Sequence, residues 1–445
     1  MDLIGLIPSF GNVLYTLAAF VVALSVIVAI HEYGHYIVGR WSGIHAEVFS
    51  LGFGPVIYSR VDSRGTKWQI AALPLGGYVK FLGDADAAST PDMARVAGMT
   101  PDEQRMTIQG APLWARAATV AAGPVFNFVL SILVFAAVVI WQGVAKDPLT
   151  VESVHPLPFE PMELLPGDEI VSVAGVAVPS LEDGEGFVDA LPKEPILSYE
   201  VRRDGVLSIV DAPHPRTTLV VGVSPQSAAM DTGLLVGDVI TGIDGEPVVL
   251  FDDLREIVGA SNGDPLALDI WRDGETLETS LSPRRADLPL PEGGFETRWL
   301  IGISGGPFYE RERASPGVFE AVSLGVSQTG RVIETSLSGL YHVVAGAISS
   351  CTISGPVRIA QTSGEVASQG LTDFIWFIAV LSTAIGLINL FPIPVLDGGH
   401  LVFHAWEAIS GRPPSDRVLR VMMSVGLVVV LSFMGFALSN DFLCP

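Results

Sequence analysis

The chain has 445 residues, 49% of them hydrophobic and only 16% charged, with a formal net charge of −23. Its mean hydropathy of +0.47 is too high for an ordinary soluble protein of this length and points to membrane insertion. The acidic balance argues against a nucleic-acid binder, and two cysteines cannot build a cysteine zinc site.

The first predicted element is an apolar span over Val13–Ile30, free of Asp, Glu, Lys and Arg and long enough to cross a hydrocarbon core. It lacks a basic start and a small-residue cleavage site, so it reads as a retained span and not a signal peptide. Its end carries "HEYGH", residues 31 to 35. Ionisable groups at that depth are costly and mark function. On a helix His31 and His35 share a face, so both imidazoles can reach one Zn²⁺ with Glu32 beside them. A catalytic zinc needs a third ligand and an open position for water. Glu32 is placed to take the proton of that water and return it to a leaving amine. The alternative is a pair of helix histidines satisfied by packing.

Residues 41–112 hold six Lys and Arg, and short β-type runs such as "FSLGFGPVIYSR" and "KWQIAALPLGGYVKFLGD". Gly and Pro punctuate them, which predicts a hairpin-like sheet. A second span follows over Ala117–Trp141 and contains "GPVFN". Residues 145–370 then carry 14 Lys and Arg against 34 Asp and Glu, leaving −20 of the chain's −23 there. Within them "LLPGDEIVSVAGVAV" (164–178) and "LLVGDVITGIDGEPV" (234–248) form an internal repeat. A period of about 70 residues suggests two copies of one small β-rich domain, not a short-period solenoid. Between Gly317 and Ser350, apolar residues at Ile333, Leu337, Leu340, Val344 and Ile348 recur on a helical face.

The third span, Phe374–Phe391, leads into "NLFPIPVLDGGHLVFH", residues 389–404. Pro392 and Pro394 break the helix there, and Asp397 offers a carboxylate just beyond. The first span runs about 27 Å before His31, at 1.5 Å per residue, and the third has a similar length. Asp397 therefore arrives at the depth of the histidines. A rival set, His400 and His404 with Glu407, could bind a metal but has no glutamate between its histidines. Val421–Ser439 is the fourth span.

No Lys or Arg precedes the first span, whereas Arg40 follows it and Arg412, Arg417 and Arg420 lie between the third and fourth. The positive-inside rule then places both short loops in the cytosol, with both termini and the acidic segment outside. Cys351 and Cys444 fall outside as well, where a bridge is permitted, although spacing leaves their pairing open.

"HEYGH", "GPVFN" and "NLFPIPVLDGG" together resemble the site-2 protease family of intramembrane metalloproteases. The match is strongest with the bacterial regulator-of-sigma-E protease branch and covers nearly the whole chain. The resemblance implies a multi-span α-helical membrane protein with four transmembrane helices. It adds a β-hairpin sheet dipping into the membrane near the zinc, and two extracytoplasmic PDZ-like α+β domains. It makes His31, His35 and Asp397 the zinc ligands and Glu32 the catalytic acid/base. Asn127 and Asn389 would hold the substrate backbone or the oxyanion, although packing beside Pro124 would also account for Asn127. The implied layout is a membrane core over 1–145, with spans 13–40 and 113–141 around the loop 41–112. PDZ-like domains at 146–216 and 217–308 and an amphipathic linker at 309–370 follow. The core resumes over 371–445, with spans 373–391 and 420–439. The second repeat has the fuller pattern, "SPQSAAMDTGLLVGDVI", and the first lacks its lead. Gating of the membrane site is thus as much expected as capture of peptide C-termini. The expected activity is zinc-dependent cleavage of single-span membrane proteins in a bacterial inner membrane. Pre-trimmed anti-sigma-factor-like proteins or signal-peptide remnants would be the substrates. A transporter should instead show inverted repeats within the membrane, and the repeat here lies in the acidic segment.

Overall fold

The computed structural model describes residues 6–85, 92–181, 186–290 and 294–444. The chain divides into two compact units. One comprises residues 1–138, 319–341 and 350–445, the other residues 139–318 and 342–349.

In the first unit, four helices among the described residues are long and apolar enough to cross a membrane: Val13–Trp41, Leu113–Gln142, Leu371–Asn389 and Arg417–Leu443. Most of each apolar window faces outward, as expected of helices solvated by acyl chains. Ala23 and Ile27 of the first span pack on Ile378 of the third. The third span stops at Asn389, short of the expected Phe391, and a separate helix begins at Asp397. Pro392 and Pro394 lie between the two and cannot extend the ladder.

The loop after the first span is an antiparallel hairpin of Ala46–Val61 and Lys67–Phe81, with bulges midway. Asp62 ties its turn by accepting from the backbone N–H groups of Arg64 (2.8 Å) and Thr66 (3.0 Å). Phe49, Val79 and Phe81 at its base pack with Tyr36 of the first span and Ala115 of the second. The sheet is thereby anchored at Tyr36, the residue after His35.

The stretch 309–370, expected as one amphipathic linker, is several elements. Tyr309–Arg311 and Arg313–Ala314 are strands of the second unit, paired with Val151–Val154 and Val144–Ala145. The helix Val318–Val344 buries a small-residue face of Ala321, Gly325 and Thr329. A Cβ on Gly325 would lie 2.5 Å from the Ile132 carbonyl oxygen, so the helix backbone sits directly against the second span. The helix Pro356–Gln369 buries Ser363 and Gly364, and Gly364 lies against Thr16 of the first span.

The second unit contains two four-stranded antiparallel sheets of the same order. One runs Val176–Ala177, Glu169–Val173, Ile196–Arg203, Val206–Pro213. The other runs Glu246–Pro247, Val239–Ile243, Leu266–Arg272, Glu275–Leu281. Each repeat uses its Gly-Asp pair identically. Asp168 accepts from the Leu165 N–H at 2.8 Å and takes Arg203 through two oxygens at 2.7 and 2.8 Å. Asp238 does the same with Leu235 at 2.8 Å and with Arg272 at 2.6 and 2.7 Å. A buried carboxylate needs such charge-assisted partners, and the Asp of the sequence repeat thus finds its Arg two strands on.

Candidate metal centre

His31 and His35 lie one turn apart on the first span, and Asp397 is the first residue of the helix Asp397–Ser410. The fold brings them together. His31 Nε2 lies 3.1 Å from His35 Nε2, and Asp397 Oδ2 lies 3.2 Å from the former and 3.6 Å from the latter. Ligands about 2.0–2.2 Å from a tetrahedral zinc sit roughly 3.4 Å from one another, so these three atoms can share one ion. Asp397 Oδ2 is buried and has no hydrogen-bond donor, the state of an acceptor that awaits a cation. The side chains are 12–19% exposed, which leaves room for a fourth ligand. Among the described residues this is the only group of His, Cys, Asp and Glu with that geometry.

The second span orients both rings. His35 Nδ1 donates to the Thr119 carbonyl at 2.9 Å, which fixes the tautomer with Nε2 free to bind metal. His31 Nδ1 lies 3.2 Å from Asn127 Nδ2. Amide orientation is assigned by hydrogen bonding, and with Asn127 Oδ1 turned towards it His31 Nδ1–H donates and its Nε2 is free. Asn127 is fully buried. Its backbone carbonyl accepts from Ser131 and from Ser382 of the third span, both at 3.0 Å. Gly123 makes the close approach possible: a Cβ there would lie 2.3 Å from His35 Nε2 and 2.8 Å from His31 Cε1.

Glu32 sits on the first span within electrostatic reach of His31, His35 and Asp397, and the Val79 backbone N–H faces its carboxylate. The second hairpin strand passes over it at Gly77, where a Cβ would lie 3.2 Å from Glu32 Cγ. Asp397 reaches the site through a tight turn. A Cβ on Gly398 would lie 2.2 and 2.3 Å from the carbonyl oxygens of Leu390 and Phe391, so only glycine fits there.

The remaining candidates lie elsewhere. Asn389 ends the third span, and its amide donates to the Ile385 carbonyl one turn back at 3.1 Å. The rival set is committed otherwise, because Glu407 receives two hydrogen bonds from Arg116, at 2.9 and 2.6 Å. Thr119 and Gly123 escape sequence reasoning, since one acts through its backbone carbonyl and the other through a missing side chain. The Gly-Pro pair of "GPVFN" is the one trace of Gly123.

The profile of peptidase family M50 matches residues 19–433. A candidate zinc metalloprotease of Rhizobium meliloti is 37% identical over 431 residues, covering 97% of this chain and 97% of its own. One from Agrobacterium fabrum is 38% identical over 427 residues, covering 95% and 94%. The regulator of sigma E protease of Salmonella typhimurium is 32% identical over 464 residues, covering 97% and 99%.

Proposed function

The chain belongs to peptidase family M50 and is a metalloprotease, and from that premise we propose that it is a zinc-dependent endopeptidase cutting single-span membrane proteins within the bilayer. The observation that carries this is the meeting of His31, His35 and Asp397 from opposite ends of the chain, with Glu32 beside them. These three would hold the metal, which would supply polarisation of a peptide carbonyl and a more nucleophilic water. Glu32 takes the proton of the attacking water and passes it to the leaving amine nitrogen. Thr119 and Asn127 keep the histidine rings in register. Asn127 Oδ1 is buried without a partner as placed; with that oxygen turned to accept from His31, the amide NH2 takes its position and can donate to a substrate carbonyl or the oxyanion. Asn389 would join it by turning from its own helix.

A helical substrate must be extended before water can reach a peptide bond. The hairpin passing over Glu32 at Gly77 offers a strand for it to pair with. Charge bias supports a hairpin on the cytosolic side of a bacterial inner membrane with the acidic repeats outside, and the family resemblance supports reading those repeats as PDZ-like domains. The Salmonella relative's name, with the family resemblance, supports anti-sigma-factor-like substrates trimmed beforehand on their outer part. The test is co-expression of wild type and Glu32→Gln with tagged single-span proteins. Cleavage products with wild type alone are expected, and equal products with both would reject the reading.

A further inference from the structure

Asp397 is the one candidate ligand that does not sit on a membrane span. It opens the helix Asp397–Ser410, which joins the third span through the irregular segment 390–396. The histidines, by contrast, are held along the second span by Thr119, Gly123 and Asn127. Something must fix the Asp397 helix against that same span. Near its far end Glu407 receives both terminal nitrogens of Arg116, Nη1 at 2.9 Å and Nη2 at 2.6 Å. Arg116 lies in the first turns of the second span, Leu113–Gln142, one turn before Thr119. The two side chains are only 16% and 18% exposed.

We propose that Arg116 and Glu407 form a positioning pair that holds Asp397 at ligand distance from His31 and His35. The pair rests on the metal-centre reading above and adds residues that do not touch the metal. Ten residues, about 15 Å of helix, separate Glu407 from Asp397, so the pair sets the angle of the helix that carries the ligand. A bidentate guanidinium–carboxylate contact fixes direction as well as distance, which a lysine cannot do. Losing one partner leaves the other charge poorly solvated, and the helix end moves to relieve it.

The test is zinc affinity of the full-length protein in detergent, by chelator competition, alongside its unfolding temperature. Glu407→Gln is expected to weaken zinc binding by about tenfold or more, the scale on which outer residues of metal sites act. Arg116→Lys, which keeps the charge but not the fork, should fall between the two. Exchange of the partners, Arg116→Glu with Glu407→Arg, should recover most of the affinity. Unchanged zinc affinity in Glu407→Gln, with only a lower unfolding temperature, overturns the proposal by making the pair merely structural. If Glu407→Gln does not fold, Arg116→Lys decides in the same way. Asp397→Ala, measured in parallel, separates the two readings. Full zinc there sinks the metal-centre reading itself, whereas zinc lost there but retained in Glu407→Gln sinks only the pair.

Discussion

At the scale of single residues, the proposed centre assigns metal binding to His31, His35 and Asp397 and proton transfer to Glu32. His31→Ala and Asp397→Ala should each lose zinc by elemental analysis, while Glu32→Gln keeps it and loses cleavage. The loss should be about 10²–10⁴-fold, the usual weight of a general acid/base. Full zinc in Asp397→Ala would reassign the third ligand. A second residue bears on stability. Asp84 follows the hairpin and is fully buried. Burial pushes its carboxyl up to about 6, against the hydrogen bond it accepts from the Phe81 N–H. A folded pKa above the unfolded 3.8 means that the folded state holds the proton more tightly. The stabilisation is therefore complete below about pH 4 and is lost as pH rises through about 6. The contribution of Asp84 should make the unfolding temperature fall between about pH 4 and pH 6, and Asp84→Asn should flatten that fall. A slope unchanged in Asp84→Asn would assign it to other groups.

At the scale of elements, the fourth span is fastened at its C-terminal end. Cys444 is bridged to Cys351 across 93 residues, and Asn440 donates to the Ser350 carbonyl at 2.8 Å. Asp441 accepts from the Gly355 N–H at 2.7 Å and the Val357 N–H at 3.0 Å, capping the helix Pro356–Gln369. Carboxylates are favoured at such a helix start. Gly355 and Pro356 open that helix, and Arg358 donates to the carbonyls of Cys351 and Cys444 at 3.2 and 3.0 Å. Replacing both cysteines by serine should cost roughly 2–4 kcal/mol, read as a lower unfolding temperature of the purified protein. An unchanged temperature would leave Asp441 and Asn440 as the sufficient fastening.

At the scale of the whole molecule, two arrangements remain to be measured. Cysteines introduced at Ser63, in the hairpin turn, and at Glu246, in the second repeat, should react with impermeant reagents from opposite sides of the membrane, with Ser63 cytosolic. Reaction of both from outside in intact cells would overturn the four-span topology. The acidic segment 146–308 contains none of the proposed metal or proton-transfer residues. If it gates access, replacing it with a linker should leave cleavage of a pre-trimmed substrate intact and admit a full-length one. If it captures a trimmed C-terminus, the same deletion should weaken cleavage of the trimmed substrate through lost anchoring. We expect the gate, because a strongly negative segment repels a terminal carboxylate. Loss of trimmed-substrate cleavage with zinc content unchanged would favour capture.

The sequence by itself determined the elements whose signal is local. Apolar runs marked the four spans, the i, i+4 spacing of "HEYGH" placed two imidazoles on one helix face, and Gly and Pro punctuated the hairpin. The proximity of Asp397 to the histidines was legible as well, since two spans of similar length are expected to bring both motifs to one depth. Only the tertiary structure decided which partners complete the centre. Thr119 contributes a backbone carbonyl that any residue possesses and leaves no signature in the chain, and Gly123 contributes space that only the Gly-Pro pair hints at. The pairings of Arg116 with Glu407, and of Cys351 with Cys444, join residues far apart in sequence. Many carboxylates are chemically equivalent partners for Arg116, and only the packing of the helices selects one; the two cysteines have no other partner in the chain, and only the fold brings them within bonding distance. Periodicity marked a helical face between Gly317 and Ser350, but the close backbone approaches at Gly325 and Gly364 leave no apolar stripe and are seen only in the packing.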